Sequence, residues 1–460
     1  MSLGRRGFLS GLGAALVPSM LGAQGLDLRP RPRPAPDPRD ILRRAALPGQ
    51  VAYALTDGSE PLALAKAAIP LAPASTMKAI TALYALDRLG PDRRFATEVI
   101  LSGDMLILAG GGDPVLSTDD LADLADRLVA TGQPAPARFG VWGGALPHLP
   151  EIAPEQDDHL AYNPALSGMM LNFNRVHLGW TRPGGVPRLR AEARAARHSP
   201  QAWTITALPG DHSDLFTYRQ DAAQEHWTIA RGALAVPGSR WMPVRLPELY
   251  AADVFQTLCR ARGLALPTVE VIDRLPQGKV LARHDSPPVI ALVRDMLRYS
   301  TNLTAEALGL QASGAADPAA SAESMRMWLG DRGQGMRLAD HSGLSQGSRI
   351  SPFAMTRILA GPGRDLMLAP LLRPDTIDPQ PSDRFTVAAK TGTLNFVSNL
   401  AGYVTGPNGG QGVFAVFCAD PDRRQAAIGQ EMPPGVAPWT RQAKALQGDL
   451  VRAFAGRLDG

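Results

Sequence analysis

Pro73-Ala74-Ser75-Thr76-Met77-Lys78-Ala79-Ile80-Thr81-Ala82-Leu83 is the stretch on which the reading of this 460-residue chain turns. It reads as a helix start followed by apolar residues at helical spacing. Ser75 and Lys78, three apart, project from one face of the first turn within reach of each other. Ser75 falls at the helix N-terminus, where free backbone N–H groups and the positive dipole end favour a developing alkoxide or oxyanion. A neutral lysine beside it accepts the hydroxyl proton, the serine–lysine form of nucleophilic activation. Alone the spacing is weak evidence, because an N-capping serine with a lysine one turn later looks the same.

Two distant elements give it weight. Ser300-Thr301-Asn302 falls between two helical patterns and reads as a short exposed connection. There Ser300 is placed to relay a proton to a leaving amine, and Asn302 to bond a substrate amide or orient Lys78. Ser, Thr and Asn are also the ordinary residues before a helix. Lys390-Thr391-Gly392-Thr393 ends the strand-like run Phe385 to Ala389. A glycine at a strand edge marks close approach of another backbone. Lys390 offers positive charge, and Thr391 and Thr393 offer hydroxyls suited to a terminal carboxylate. A substrate added alongside as an extra strand brings the Thr393 N–H into an oxyanion hole with that of Ser75. An ordinary strand-to-turn junction has the same composition. Together and in this order, Ser-x-x-Lys, Ser-Asp-Asn and Lys-Thr-Gly form the signature set of penicillin-binding proteins and class A β-lactamases, here with Thr301 in the middle place.

Composition narrows the alternatives. With 45% hydrophobic and 20% charged residues the chain has the makings of a large buried core. A net charge of +4 without long basic runs argues against a nucleic-acid binder. Only five of the 47 basic residues are lysines, two of them Lys78 and Lys390. Lysine loses its proton when desolvated and arginine does not, although codon bias explains the rarity equally well. Cys259 and Cys418 are far apart in sequence and read as two separately buried thiols. No His/Cys spacing points to a metal, and no cofactor is implied.

The N-terminus reads as an export signal over residues 1–23. Arg5-Arg6-Gly7-Phe8-Leu9 resembles a twin-arginine signal, and Leu21-Gly22-Ala23 supplies small residues for cleavage. Its apolar stretch is shorter than the roughly 20 residues of a membrane-spanning helix, so no transmembrane anchor is expected. An Arg/Pro-rich linker, extended in character, follows over 24–48. Strands Val51 to Leu55 and Leu62 to Ala65 flank an Asp57-Gly58 turn. From about 93 to 245 short strand-like pieces, among them Met169 to Asn174, read as an inserted β-rich module. Helical patterns then dominate to Arg332, and strands return from Phe385 to Ala419 before a terminal helix. Strands at both ends of the chain suit one mixed sheet closed by N- and C-terminal contributions.

Further motifs narrow the family. They are Gly111-Gly112-Asp113-Pro114, Tyr162-Asn163-Pro164 followed by Leu171-Asn172-Phe173-Asn174, and Asp340-His341-Ser342-Gly343-Leu344-Ser345 before Ile350-Ser351-Pro352. With these, and a very long separation of the first two catalytic motifs, most of the mature chain resembles the D-alanyl-D-alanine carboxypeptidase/endopeptidase family of class C low-molecular-mass penicillin-binding proteins, peptidase family S13. The resemblance implies an α+β fold: a transpeptidase/β-lactamase-like domain, helical cluster plus antiparallel sheet, from residues 49–92 and 246–460. Residues 93–245 would form one or two inserted subdomains. It implies Ser75 as nucleophile, Lys78 as base, Ser300 and Asn302 in proton transfer and amide binding, and Lys390, Thr391, Gly392 and Thr393 around the substrate carboxylate and oxyanion. Peptidoglycan stem peptides in the periplasm would be the substrates, and β-lactams would acylate the same serine. His341 takes the second place of the usual Asp-Gly-Ser-Gly-Leu-Ser and reads as a tolerated loop substitution.

Two rivals remain from the sequence. A β-lactamase shares the chemistry, but the long insert argues against it, and no Glu-x-x-x-Asn deacylation element stands at the expected place. A catalytically silent cell-wall-binding protein would not need intact motifs.

Overall fold

The computed structural model describes residues 36–458; the expected export signal and the first half of the expected linker lie outside the described residues. The second half corrects the extended reading. Pro38–Ala45 is a helix, α1, entered through an Asp37 side chain that accepts from Arg39 N, with Pro38 in its first turn. Proline suits that position because its missing N–H would have no partner there anyway. Ile41 then buries in a core shared with the C-terminal helix.

Strands β1 (Gln50–Thr56) and β2 (Pro61–Ala65) form a hairpin whose Asp57 carboxylate accepts N–H bonds from Ser59 and Glu60. A 3-10 turn at Ala74–Thr76 leads into α2 (Met77–Leu89), buried on all sides from Met77 through Leu86. The chain then leaves this body through β3 (Ala96–Ser102), β4 (Met105–Gly110), α3 (Thr118–Ala130) and β5 (Arg138–Trp142). The run 169–174 is not the expected strand. Asn172, Phe173 and Asn174 have φ of 50°, 59° and 48°, and sheet pairing begins only at Arg175. Asparagine enters the left-handed region because its side chain bonds locally. Here Leu171 N donates to Asn174 Oδ1 at 3.0 Å, a local bond, while Asn172 Oδ1 accepts from the N–H of the distant Thr118 at 3.0 Å and ties the turn to α3.

Strands β6 (Arg175–Thr181), β7 (Arg188–Glu192), β8 (Ile205–Gly210), β9 (Phe216–Gln220), β10 (Glu225–Ala230) and β11 (Gly238–Pro243) make two small sheets, ordered β11-β6-β7 and β8-β10-β9. Helix α4 (Pro247–Arg260) and strands β12 (Val269–Val271) and β13 (Lys279–Asp285) follow. The sequence reading assigned these three to the catalytic part. They belong with the insert: β12 and β13 close the sheet β12-β5-β4-β3-β13, and Tyr250, Val254 and Phe255 bury in one core with Leu106, Leu121 and Phe139. The boundary therefore lies near Asp285 instead of 245. An amphipathic helix and two short strands read alike whichever core receives them.

Helices α5 (Val289–Tyr299), α6 (Asn302–Ser313), α7 (Pro318–Trp328), α8 (Pro352–Ala360) and α9 (Pro362–Asp365) return to the first body. Strands β14 (Thr386–Leu394), β15 (Val397–Thr405) and β16 (Gln411–Ala419), then helices α10 (Pro421–Ala426) and α11 (Val436–Arg457), complete it. Its sheet runs β14-β15-β16-β1-β2, joining both ends of the chain. Every pairing in it is antiparallel, not mixed. One face covers a core with α2, α5 and α8; the other packs on α1 and α11. Strand alternation explains the division: Ala388 packs towards the α2 core, while Val387 and Ala389 face α11. Cys259 and Cys418 are free and buried, one in the insert core and one against α11. Among the described residues no helix is long and apolar enough to cross a membrane.

Candidate active site

The three sequence elements meet at one cleft of about 560 Å³, on whose wall Ser75, Ser300, Asn302 and Thr393 stand. Ser75 sits in the 3-10 turn that precedes α2, and Lys78 in the first turn of the helix itself. Ala74 and Ser300, one beside each element, are non-glycine residues in the left-handed region, with φ of 47° and 59°. Such residues cost on the order of 1–3 kcal/mol each and persist only where their surroundings hold them.

Lys78 is fully buried beneath Ser75. Its Nζ lies 2.8 Å from Ser75 Oγ, 2.8 Å from Asn302 Oδ1 and 2.8 Å from the Ser342 carbonyl oxygen. Asn302 opens α6, and its Nδ2 donates to the Tyr162 carbonyl of the insert at 2.9 Å. Ser300 ends α5 and its Oγ accepts from Lys390 Nζ at 2.9 Å. Lys390 also donates to the Thr391 carbonyl at 2.8 Å and is only 2% exposed.

Lys390 to Thr393 lie inside β14, whose pairing with β15 continues to Leu394, past the strand end expected at Ala389. β14 is the edge strand of its sheet. Ala389 N bonds outward to Arg373 O, so alternation turns the N–H groups of Thr391 and Thr393 to that same free edge. Gly392 presses on the Ser75 turn. A Cβ there would stand 2.9 Å from Thr76 N and Pro73 O and 3.0 Å from Ser75 N, so only glycine lets the strand come this close.

Two lysines and two carboxylates share this interior. Burial drives the Lys78 ammonium down to about 8, against the opposing pull of Asp340 and Glu306. Burial pushes Lys390 well below its ordinary value, and the charges of Lys78 and Arg373 push the same way. Burial raises Glu306 to about 8 and also raises Asp340. Glu306, on α6, accepts from His341 N at 3.1 Å and Ser342 N at 2.8 Å. Asp340 accepts from Ser342 Oγ, Ser345 N and Ser348 Oγ.

Sequence reasoning missed several of these residues. Glu306 had one signal, a carboxylate inside the otherwise apolar run Leu303 to Leu308. The insert contributes Glu155, Leu160 and Tyr162 to the cleft, and the segment after β16 contributes Arg424 and Met432. Glu431 in that segment accepts from Arg240 Nη2 of the insert at 2.8 Å and lies 3.2 Å from His159 Nε2. His341 lies in an irregular segment, as expected, but does not face solvent. Its ring is fully buried over Gly309, with Nε2 2.6 Å from Ser321 Oγ, and burial lowers its pKa to about 3.

Comparison with known proteins agrees with this architecture. Residues 40–363 and 375–439 match the model of the D-Ala-D-Ala carboxypeptidase 3 (S13) family. A D-alanyl-D-alanine carboxypeptidase from an Actinomadura species is 28% identical over 389 residues, covering 74% of this chain and 72% of that one. The D-alanyl-D-alanine carboxypeptidase DacB of Haemophilus influenzae is 29% identical over 195 residues, covering 38% of this chain and 41% of its own length. The crystal structure of penicillin binding protein 4 (dacB) from Haemophilus influenzae superposes with a TM-score of 0.70 at 20% identity, over 90% of this chain and 99% of that one.

Proposed function

The chain belongs to the D-Ala-D-Ala carboxypeptidase 3 (S13) family, and from that premise we propose that Ser75 is the acylating nucleophile of a periplasmic enzyme that trims peptidoglycan stem peptides. It is a serine-type D-Ala-D-Ala carboxypeptidase/endopeptidase, a hydrolase. The observation that carries the residue assignment is the contact of the buried Lys78 Nζ with Ser75 Oγ at 2.8 Å.

In this reading Ser75 Oγ attacks the penultimate D-Ala carbonyl carbon and its proton passes to neutral Lys78. With the Lys78 pKa near 8, roughly a tenth of the lysine is neutral at pH 7, against almost none at its ordinary value. The oxyanion is received by the N–H groups of Ser75 and Thr393. The C–N bond breaks, and the leaving amine takes a proton by way of Ser300 from Lys390 or Lys78. Lys390 and the Thr391 and Thr393 hydroxyls hold the terminal carboxylate, and Asn302 supports the substrate amide. Water then hydrolyses the acyl-enzyme, and a β-lactam enters by the same attack. Export rests on the Arg5-Arg6 signal, which lies outside the described residues.

Fluorescent-penicillin labelling of the wild type, Ser75→Ala and Lys78→Ala tests the assignment. Labelling is expected for the wild type alone, and undiminished labelling of Ser75→Ala would overturn it. Release of D-Ala from pentapeptides, measured beside cleavage of cross-linked dimers, then divides the two activities.

A further inference from the structure

A neutral lysine amine carries two N–H donors and one lone pair. Two carbonyl oxygens flank the Lys78 amine, Asn302 Oδ1 and Ser342 O, each at 2.8 Å. If both N–H groups are spent on these, the lone pair has one direction left, towards the Ser75 hydroxyl 2.8 Å away. The four-carbon lysine stem is flexible, so the amine's orientation depends on where those two oxygens are held.

Asn302 Oδ1 is held by the first turn of α6 and by the bond of its Nδ2 to the Tyr162 carbonyl. Ser342 O belongs to an irregular segment with no ladder to fix it. What fixes it is α2, through Thr81 Oγ1 donating to the His341 carbonyl at 2.6 Å, and α6 again. One turn beyond Asn302, the buried Glu306 carboxylate accepts from the backbone N–H groups of both His341 and Ser342. Asp340 holds the far side of the same turn through Ser342 Oγ and Ser345 N. We infer that Glu306 is a positioning residue for the acylation step: it clamps the 341–342 backbone so that the Ser342 carbonyl, paired with Asn302 Oδ1, turns the Lys78 lone pair onto Ser75. One helix thus bears on both oxygens, carrying Asn302 itself and holding the backbone of Ser342 through Glu306. The inference rests on the reading of Lys78 as the base.

Its test is pre-steady-state acylation of the full chain by a chromogenic β-lactam, resolving the non-covalent dissociation constant from the acylation rate constant across pH. Oε1 accepts from both N–H groups, and Oε2 shares the His341 N–H at 3.1 Å. Glu306→Gln puts an NH2 in place of one oxygen, so a donor faces the His341 N–H and the clamp is forced apart on that side. The expected result is an unchanged dissociation constant and an acylation rate at least tenfold lower. The loss should persist on the alkaline plateau, where Lys78 is neutral in every variant, because orientation and not proton affinity has been removed. Glu306→Asp, one methylene short, should fall between the two and serves alone if Glu306→Gln does not fold. An equal plateau rate in a folded variant would overturn the inference. So would a fall that burst titration accounts for entirely by a smaller active fraction. If the wild type takes no β-lactam, the reading of the site itself fails, a result distinguishable from either.

Discussion

Lys78 is one of five lysines in a chain whose other cations are arginines, and its work requires losing a proton. The acylation rate is therefore expected to climb with pH, about tenfold per unit below a midpoint near 8, and to level above it. Because Lys390 lies close enough to push on the same equilibrium, the observed midpoint belongs to the pair of lysines. Stopped-flow acylation between pH 5.5 and 9.5 gives the profile; a flat one would remove Lys78 from the role of base. Lys78→Arg keeps the charge but cannot deprotonate, and acylation should drop roughly 10²- to 10⁴-fold. At this scale Ser75, Lys78, Ser300, Asn302 and Lys390 were legible because each lies in a short local motif. Asp340 and Ser342 could be quoted only as part of a family pattern. Glu306 stood unnoticed, because a single carboxylate in a helix says nothing until the 340–345 segment is seen folded over it.

Two elements bear the precision of the site, β14 and α6, and each meets its neighbour at a glycine. Gly392→Ala places a methyl 2.9 Å from Thr76 N, so the strand must draw back from the Ser75 turn. A displacement of an ångström costs about 10²-fold in a reaction of this kind. Penicillin acylation of the folded protein should fall by that order, beyond the about 1–3 kcal/mol of stability that overpacking costs; a loss accounted for entirely by less folded protein would mean the contact serves only stability. Gly309→Ala drives a methyl into the His341 ring. It should destabilise by about 1–3 kcal/mol, the usual cost of overpacking, measured by urea unfolding at pH 7. Most elements could be read from the sequence because their apolar periods are strong, as in α5. The run 169–174 misled because three successive left-handed residues leave its hydrophobic pattern looking like a strand. The positions of α4, β12 and β13 were hidden for another reason: period shows that a face is buried and not against what.

Across the molecule two bodies, each with its own main core, face each other over the cleft. A small shared core of Leu146, Leu166 and Met170 against Leu303, Ala307 and Leu310 joins them, and Glu431 spans the cleft to His159 and Arg240. The half-exposed Arg240–Glu431 ion pair contributes about 1 kcal/mol or less, so this part of the span is weak. Glu431→Ala is expected to raise cleavage of bulky cross-linked dimers several-fold relative to D-Ala release from pentapeptides, with both products quantified by chromatography. An unchanged ratio would show that the span does not select substrates. The bond from Asn302 Nδ2 to the Tyr162 carbonyl is a further link between the bodies, and the one that reaches the catalytic residues. Five of the seven tryptophans lie between Trp142 and Trp241, so during refolding the insert's fluorescence should settle before penicillin labelling appears; labelling that came first would refute this order. On that order the Tyr162 bond forms only once the insert has folded. A copy whose middle third has not yet docked leaves Asn302 Nδ2 without its Tyr162 partner, so one of the two oxygens that steer its base is held by the first turn of α6 alone.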